Sequence, residues 1–220
     1  MPATDYTAAR INMVEGQLRP NRLTDLRAVD AFLAVPRELF VPKALRGIAY
    51  VDEEIQVAPG RWLMEPMVLS RLIQELAIGA GDVVLDVGCA SGYSSAVAGR
   101  MAGTVVALES DRDLAQTATR NLQAAGIDNA LVMEGPLEAG WPKQAPYDVI
   151  LLNGAVAEVP KALLDQLGEG GRLGAVVAPD GRLGQARLFQ KLDGVVSSRV
   201  VFDASARILP GFEPRAGFVF

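Results

Sequence analysis

The stretch Val83-Val84-Leu85-Asp86-Val87-Gly88-Cys89-Ala90-Ser91-Gly92-Tyr93 decides the fold of this chain. It opens with an apolar run that contains one acid, and a turn of small residues follows. Helix-spaced residues come next, so the pattern predicts a strand, a tight turn and a helix. Such a unit is typical of α/β proteins that bind a ligand at the carboxyl ends of their strands. Small side chains in the turn let the backbone approach that ligand closely.

Outside this unit, short apolar runs alternate with helix-spaced segments. Continuous apolar runs indicate strands that are buried on both faces, as in a parallel sheet covered by helices. The predicted strands are 83–87, 104–108, 130–133, 147–152 and 172–177, and the predicted helices are 66–77, 94–101, 113–125 and 160–167. We therefore predict an α/β fold, with a doubly wound, Rossmann-like, mostly parallel sheet and helices on both faces.

The two ends of the chain depart from this alternation. Residues 7–35 carry helical spacing and predict a helical N-terminal arm. Residues 40–59 mix prolines, acids and apolar residues, which favours an irregular connection. Residues 186–192 and 194–201 predict an antiparallel pair at the sheet edge.

Composition excludes several classes of function. The 220 residues include 21 Lys+Arg and 26 Asp+Glu, which gives a net charge of −5. This balance argues against a nucleic-acid partner, because binding phosphates requires a concentrated basic surface. No apolar run approaches the ~20 residues of a membrane span, and no charged-then-apolar leader begins the chain. We expect no membrane partner and a cytoplasmic location.

Two residue types limit the chemistry. Histidine is absent, which removes histidine bases, histidine-containing triads and histidine metal ligands. The single cysteine, Cys89, cannot form an intrachain disulfide. The acidic run Asp52-Glu53-Glu54 does not suggest a metal, because three consecutive side chains do not converge on one ion. We expect no metal site.

The residues of the glycine turn narrow the choice of cofactor. A dinucleotide fingerprint needs a glycine where this chain has Ala90, so a nicotinamide-dependent oxidoreductase is a weak alternative. The turn is similar instead to that of the S-adenosylmethionine-dependent methyltransferases, with Asp86, Gly88 and Gly92 in place. Glu109 ends the next strand and is placed to accept hydrogen bonds from a ribose diol. The alternative is that the glycines serve only the turn and Glu109 is a solvated acid.

Several further segments resemble one family, the protein-L-isoaspartate O-methyltransferases. They are Met13-Val14-Glu15-Gly16-Gln17-Leu18-Arg19, Val35-Pro36-Arg37-Glu38-Leu39-Phe40-Val41-Pro42, Ala49-Tyr50-Val51-Asp52, Gly140-Trp141-Pro142, Ala145-Pro146-Tyr147-Asp148 and Gly170-Gly171-Arg172-Leu173. The chain is identified as a divergent member of this family. The resemblance implies S-adenosyl-L-methionine as cofactor, S-adenosyl-L-homocysteine as product and methylation of a carboxylate.

The resemblance also assigns a cofactor site. Its residues are Asp86, Gly88, Cys89, Ala90, Ser91, Gly92, Tyr93, Glu109, Ser110, Gly135, Pro136, Leu137 and Asn153. Two positions depart from the family pattern. The family has Gly-Asp-Gly, whose acid helps to hold adenine, where this chain has Gly135-Pro136-Leu137, and Thr-Ala where this chain has Asn153-Gly154.

The acceptor site is assigned to the loop Gly60-Arg61-Trp62-Leu63-Met64-Glu65-Pro66, near Tyr50 and Asn153. The family's catalytic, substrate-orienting serine falls at Met64. The candidate catalytic residues are therefore Arg61, which is suited to pair with a substrate carboxylate, Met64 as an apolar wall, and Glu65 as a partner for a cation or amide. The alternative is that this loop covers the sheet edge, with Arg61 as a surface charge and Glu65 favouring the next helix start.

These assignments together describe one domain, 1–220, divided into an N-terminal arm and substrate loop (1–65), a cofactor-binding core (66–180) and C-terminal edge strands (181–220). A carboxylate acceptor is ionised at neutral pH and needs no base, which suits a chain without histidine. We expect the partner to be an isoaspartyl-containing peptide or protein, or a small carboxylate acceptor, and the chain to be a monomer or weak dimer. The alternatives are a catalytically silent member that binds cofactor or a protein partner, or a methyltransferase with a different small acceptor.

Overall fold

The computed structural model describes residues 5–181 and 183–214, and within them nine strands form two sheets. The strands are β1 Ile55–Ala58, β2 Arg61–Leu63, β3 Val83–Val87, β4 Thr104–Glu109, β5 Ala130–Glu134, β6 Tyr147–Val156, β7 Leu167–Val177, β8 Gly184–Leu192 and β9 Val195–Ala204. The α-helices are α1 Tyr6–Met13, α2 Leu26–Ala34, α3 Pro66–Leu76, α4 Tyr93–Gly99, α5 Arg112–Ala124 and α6 Lys161–Leu164.

Seven strands form the main sheet, in the order β5-β4-β3-β6-β7-β8-β9. The first five in this order are parallel neighbours, and β8 and β9 add an antiparallel edge. The predicted doubly wound, mostly parallel sheet with an antiparallel C-terminal edge is confirmed. The strand order reverses between β3 and β6, which is where ligands bind in sheets of this kind.

The strands of the sheet centre carry apolar residues on both faces. Val84 joins a core with Phe32 and Tyr93, and the next residue, Leu85, joins a second core with Leu163. Because neighbouring side chains of a strand point to opposite faces, a continuous apolar run fills both cores. The strands at the reversal point therefore lie between two apolar cores. Among the described residues, no helix is long and apolar enough to cross a membrane.

The N-terminal arm predicted over 7–35 is helical, and it consists of two α-helices with a break between them. The helix α1 continues into a π-helical turn, Val14–Leu18, and α2 begins only at Leu26. Pro20 interrupts the backbone hydrogen bonding, because proline has no N–H group. Arg22 adopts a positive φ of 74° in the break, and the Asp25 carboxylate caps α2 by accepting from the Arg27 N–H.

Two expectations need correction. The connection over 40–59 is not irregular throughout, because β1 pairs with β2 in a hairpin turned by Gly60. Strands of four and three residues carry too little periodicity to be recognised. The helix expected over 160–167 is only the single turn α6, because β7 already begins at Leu167. Part of the predicted edge segment, residues 182 and 215–220, lies outside the described residues.

A buried arginine ties the arm to the substrate loop. Arg37 has no exposed surface, and its guanidinium donates to the carbonyls of Ala49 (2.8 Å) and Met64 (2.9 Å). It also lies 4.6 Å from the ring centroid of Tyr93 at the start of α4. One side chain therefore joins the arm, the loop and the glycine turn's helix.

We expect Arg37→Met to lower the free energy of unfolding by about 2–4 kcal/mol, because two buried carbonyls lose charged donors. Arg37→Lys should restore little of this free energy, since an ammonium group does not reproduce the planar arrangement of N–H donors of a guanidinium. Urea unfolding of both variants measures this. The matched control is Arg27→Met, which removes an exposed arginine paired with Asp25 at 3.8 Å. An equal loss in the control and Arg37→Met would contradict the prediction.

Candidate functional site

The glycine turn joins β3 to α4 at the reversal point of the sheet. Gly88, Ala90 and Gly92 adopt positive φ angles of 77°, 50° and 97°. The N–H groups of Gly88 and Cys89 donate to the Leu108 carbonyl at 2.8 and 3.1 Å, which ties the turn to β4. The left-handed conformation suits glycine and strains Ala90, so this residue needs support from its surroundings.

Glu109 gives that support from the end of β4. It has no exposed surface, and its Oε2 accepts from the Ala90 N–H at 2.8 Å. Its Oε1 accepts from the N–H groups of Ser110 (2.8 Å) and Asp111 (3.1 Å). The alternative of a solvated surface acid is therefore wrong. The parallel register of β3 and β4 brings Glu109 and the turn together.

Arg61 completes the surroundings of this carboxylate. Its Nη2 lies 2.5 Å from Glu109 Oε2, and its side chain is 5% exposed. The hairpin of β1 and β2 thus inserts its first β2 residue into the site. The alternative of Arg61 as a surface charge is wrong, and its guanidinium is held by a carboxylate of its own chain.

Asp86, the acid inside β3, faces the start of α4. Its Oδ2 accepts from the hydroxyls of Ser94 and Ser95, each at 2.6 Å. Burial raises the pKa of Asp86 to about 6, against the lowering effect of these two hydrogen bonds. The two serines were not singled out from the sequence, although they lie side by side in the first turn of the predicted helix.

The C-terminal segment covers the turn with a leucine that the sequence did not indicate. A Cβ placed on Gly88 would lie 2.8 Å from Leu209 Cδ2, and a Cβ placed on Gly154 would lie at the same distance. Leu209 is 3% exposed. It therefore packs on the ends of two neighbouring strands, β3 and β6, where only glycine leaves room.

The remaining cofactor candidates divide into buried and exposed groups. Asn153 is buried and donates to the Gly88 carbonyl at 3.2 Å. The Ser91 hydroxyl donates to the Phe40 carbonyl, and Cys89, Tyr93 and Leu137 are buried by packing. Ser110 and Pro136 are exposed, and Gly135 is half-buried with the Trp141 ring 3.4 Å from the place of its Cβ. The structure thus gathers most candidates at one sheet edge.

The acceptor loop lies beside this edge. Met64 is 2% exposed, and Glu65 precedes α3 with its side chain half-buried. Burial raises the pKa of Glu65 to about 7, with further contributions from Asp52, Glu54 and Glu53. Tyr50 donates its hydroxyl to Glu38. Acidic residues therefore surround Glu65 at one end of the loop, and the neighbouring Met64 is buried.

A glycine turn after one parallel strand, with a buried acid at the end of the next, is typical of α/β proteins that bind a nucleoside-containing cofactor at the reversal point of the sheet. The family model for protein-L-isoaspartate(D-aspartate) O-methyltransferase matches residues 10–205. A protein-L-isoaspartate O-methyltransferase of Methanoculleus marisnigri is 38% identical over 179 residues, 81% of each chain. One from Methylorubrum extorquens is 41% identical over 180 residues, 82% of this chain and 78% of the relative.

Solved structures agree with the sequence relatives. A protein-L-isoaspartate O-methyltransferase superposes with a TM-score of 0.81 at 27% identity, covering 93% of this chain and 67% of that one. A putative family member from Plasmodium falciparum, in complex with S-adenosyl-L-homocysteine, gives a TM-score of 0.79 at 20% identity over 94% of this chain and 99% of that one. This chain belongs to the protein-L-isoaspartate(D-aspartate) O-methyltransferase family of S-adenosylmethionine-dependent enzymes.

The polar groups of the site fit this cofactor. Glu109 offers carboxylate oxygens at the strand end where a ribose diol is held in folds of this kind. The turn presents backbone atoms without bulky side chains at Gly88 and Gly92, and the Trp141 ring lies 3.4 Å from the place of a Cβ on Gly135. The space in front of Gly88, however, is taken by Arg61 and Leu209 in the arrangement described.

We expect Glu109→Gln to destabilise the fold by about 3–5 kcal/mol, because it leaves the Arg61 cation buried without its counter-ion. The double variant Arg61→Met/Glu109→Gln should lose less than the sum of the two single losses, because neither charge remains. Chemical denaturation of Glu109→Gln, Arg61→Met and the double variant measures the coupling free energy between the two side chains. Glu15→Gln, in the exposed pair with Arg19 at 3.3 Å, serves as control and should cost less than about 0.5 kcal/mol. Additive losses would show that the pair is not coupled.

We expect Glu65→Gln to flatten the pH dependence of stability. The raised pKa means that the folded chain binds more protons than the unfolded chain between pH 4.5 and about 7, so stability falls as pH rises through this window. The variant should be more stable than wild type at pH 8, by about 1 kcal/mol or less because solvent screens the group. Thermal unfolding at pH 5 and pH 8 tests this, with the exposed Glu158→Gln as control. Parallel pH curves for wild type and Glu65→Gln would contradict it.

Proposed function

We propose that this chain transfers a methyl group from S-adenosylmethionine to a carboxylate of an isoaspartyl-containing protein or peptide. The observation that carries the proposal is the buried Glu109, which lies at the end of β4 against the glycine turn and accepts the Ala90 N–H at 2.8 Å. An acid in this place, in a family of methyltransferases, is suited to bind the cofactor's ribose.

The cofactor residues proposed are the turn 86–92, with Glu109 for the ribose and Gly135, Pro136 and Leu137 at the adenine end. Trp141 is a further candidate, because its ring lies 3.4 Å from the place of a Cβ on Gly135 and borders the same end of the site. When bound, S-adenosylmethionine supplies a methyl group on a positively charged sulfur. An ionised carboxylate accepts it without a base, which agrees with a chain that has no histidine.

The acceptor side is proposed to involve the loop from Arg61 to Glu65. Met64 is held through its backbone, since its carbonyl accepts from Arg37 at 2.9 Å, and its side chain offers no hydroxyl. Methyl transfer is governed largely by the orientation of donor and acceptor. The acceptor would then be positioned by contacts with apolar side chains of the loop and by the acidic residues around Glu65. A small carboxylate is the alternative acceptor.

We further propose that the protein is cytoplasmic, that it is a monomer or weak dimer, and that it has no nucleic-acid partner. The net charge of −5 supports the last point. The single cysteine, Cys89, cannot form an intrachain disulfide, which suits a reducing compartment.

The proposal is tested by incubating the full chain with tritiated S-adenosylmethionine and an isoaspartyl peptide. We expect methyl incorporation into this peptide and none into the same peptide with ordinary aspartate. Incorporation into neither peptide, with cofactor bound, would reject the isoaspartyl acceptor and favour a different carboxylate or a silent protein.

Met64→Ser should raise isoaspartyl methylation by about two- to tenfold, the value of one added hydrogen bond to the acceptor. The comparison is kcat/KM for the two proteins with the same peptide. Met67→Ser is the matched control, because Met67 lies in α3 just after the loop and its side chain is half-buried. An equal increase in both variants would show that the effect does not come from the loop position.

A further inference from the structure

The chain's own side chains fill the place in front of Glu109. Asp86, Cys89, Ala90 and Glu109 each have 0% exposed surface. An enclosed cavity that admits a water-sized probe would leave accessible surface on the residues lining it. Nothing of that size therefore fits against these four residues while Arg61 lies on Glu109.

Two segments close the site from outside. The hairpin of β1 and β2 contributes Arg61, and residues 205–212 contribute Leu209. The second segment is attached to the end of β6, because the Ala155 N–H donates to the Arg207 carbonyl and the Leu209 N–H donates to the Ala155 carbonyl, both at 2.8 Å. Neither segment belongs to the regular part of the main sheet, apart from an isolated bridge between Ala155 and Ile208.

A surface contact fastens the two segments to each other. The Arg207 guanidinium lies 4.8 Å from the centroid of the Trp62 ring. Its Nε lies 3.6 Å from Glu54 Oε2, and the Arg207 N–H donates to Glu54 Oε1 at 2.9 Å. We call Arg207, Trp62 and Glu54 the latch. Trp62 belongs to the proposed acceptor loop, and none of the three is one of the proposed cofactor residues.

The closed arrangement leaves polar atoms unsatisfied. Arg61 Nε, Asp86 Oδ1 and Asn153 Oδ1 are buried and have no hydrogen-bond partner among the described residues. A buried polar atom without a hydrogen-bond partner costs free energy. The closed arrangement is therefore less stable than it would be if all three atoms had partners. An opened site would return these atoms to solvent or to a ligand.

We infer that Arg61 and Leu209 form an internal plug that competes with the cofactor, and that S-adenosylmethionine enters only when the latch opens. The inference rests on the proposed function. Glu109 Oε2 is held by a guanidinium and the surface of Gly88 by a leucine, so cofactor and plug exclude each other. The apparent affinity is then the intrinsic affinity reduced by the fraction of molecules that are open.

Calorimetric titration of the full chain with S-adenosylhomocysteine tests this. Arg207→Gln removes the ion pair and the cation–π contact of the latch and keeps its backbone hydrogen bond to Glu54. We expect its Kd to fall about fivefold, the value of the two contacts that are lost. Arg61→Gln removes the charged side chain of the plug, leaves Leu209 in place, and should lower Kd by at least as much. Arg199→Gln is the matched control, because its ion pair with Glu75 is 60% and 29% exposed, close to the 65% and 21% of Arg207 and Glu54. Its Kd should equal that of wild type.

The outcomes separate the two proposals. If wild type binds as tightly as Arg207→Gln and methylates the isoaspartyl peptide, the plug is rejected and the proposed function stands. If no variant binds the ligand although circular dichroism shows each one folded, both the plug as a gate and the methyltransferase function are rejected. A lower Kd in Arg207→Gln but not in Arg199→Gln, with a matching fall in the KM for S-adenosylmethionine, supports the plug.

Discussion

The ion pair between Arg61 and Glu109 is the interaction on which the site depends. A charge buried without its counter-ion costs several kcal/mol, so each side chain requires the other while the site is closed. The same carboxylate also accepts three backbone N–H groups, from Ala90, Ser110 and Asp111. One acid thus orders the glycine turn, the start of the next loop and the short hairpin outside the main sheet.

Because Glu109 has several partners, its structural role and its role in ligand binding are linked. Ala90 is held in a left-handed conformation by a carboxylate that would also have to bind a ribose, so structural support and ligand binding use the same atoms. Asp86 lies in the same buried region, and burial, with the nearby Glu109 charge, keeps its pKa above the usual range. Two acids and one arginine therefore share a volume from which water is excluded.

The local units were predictable from the sequence, and the long-range closure was not. An apolar run, a small-residue turn and a helix gave β3, the turn and α4, and parallel strand ends brought Glu109 beside the turn. Arg61 comes from a hairpin too short to show periodicity, and Leu209 from a segment with none. Patterns report local periods and burial, and they do not identify which distant side chain fills the space above a glycine.

The position of residues 205–212 in the chain has a consequence for biosynthesis. A chain emerges from the ribosome with its N-terminal parts first, so the nine strands found in residues 5–181 and 183–214 are made before this segment. Until Leu209 docks on Gly88 and Gly154, the newly made protein presents these strand ends uncovered. Closure of the ligand edge by Leu209 therefore follows the synthesis of both strands whose ends it covers.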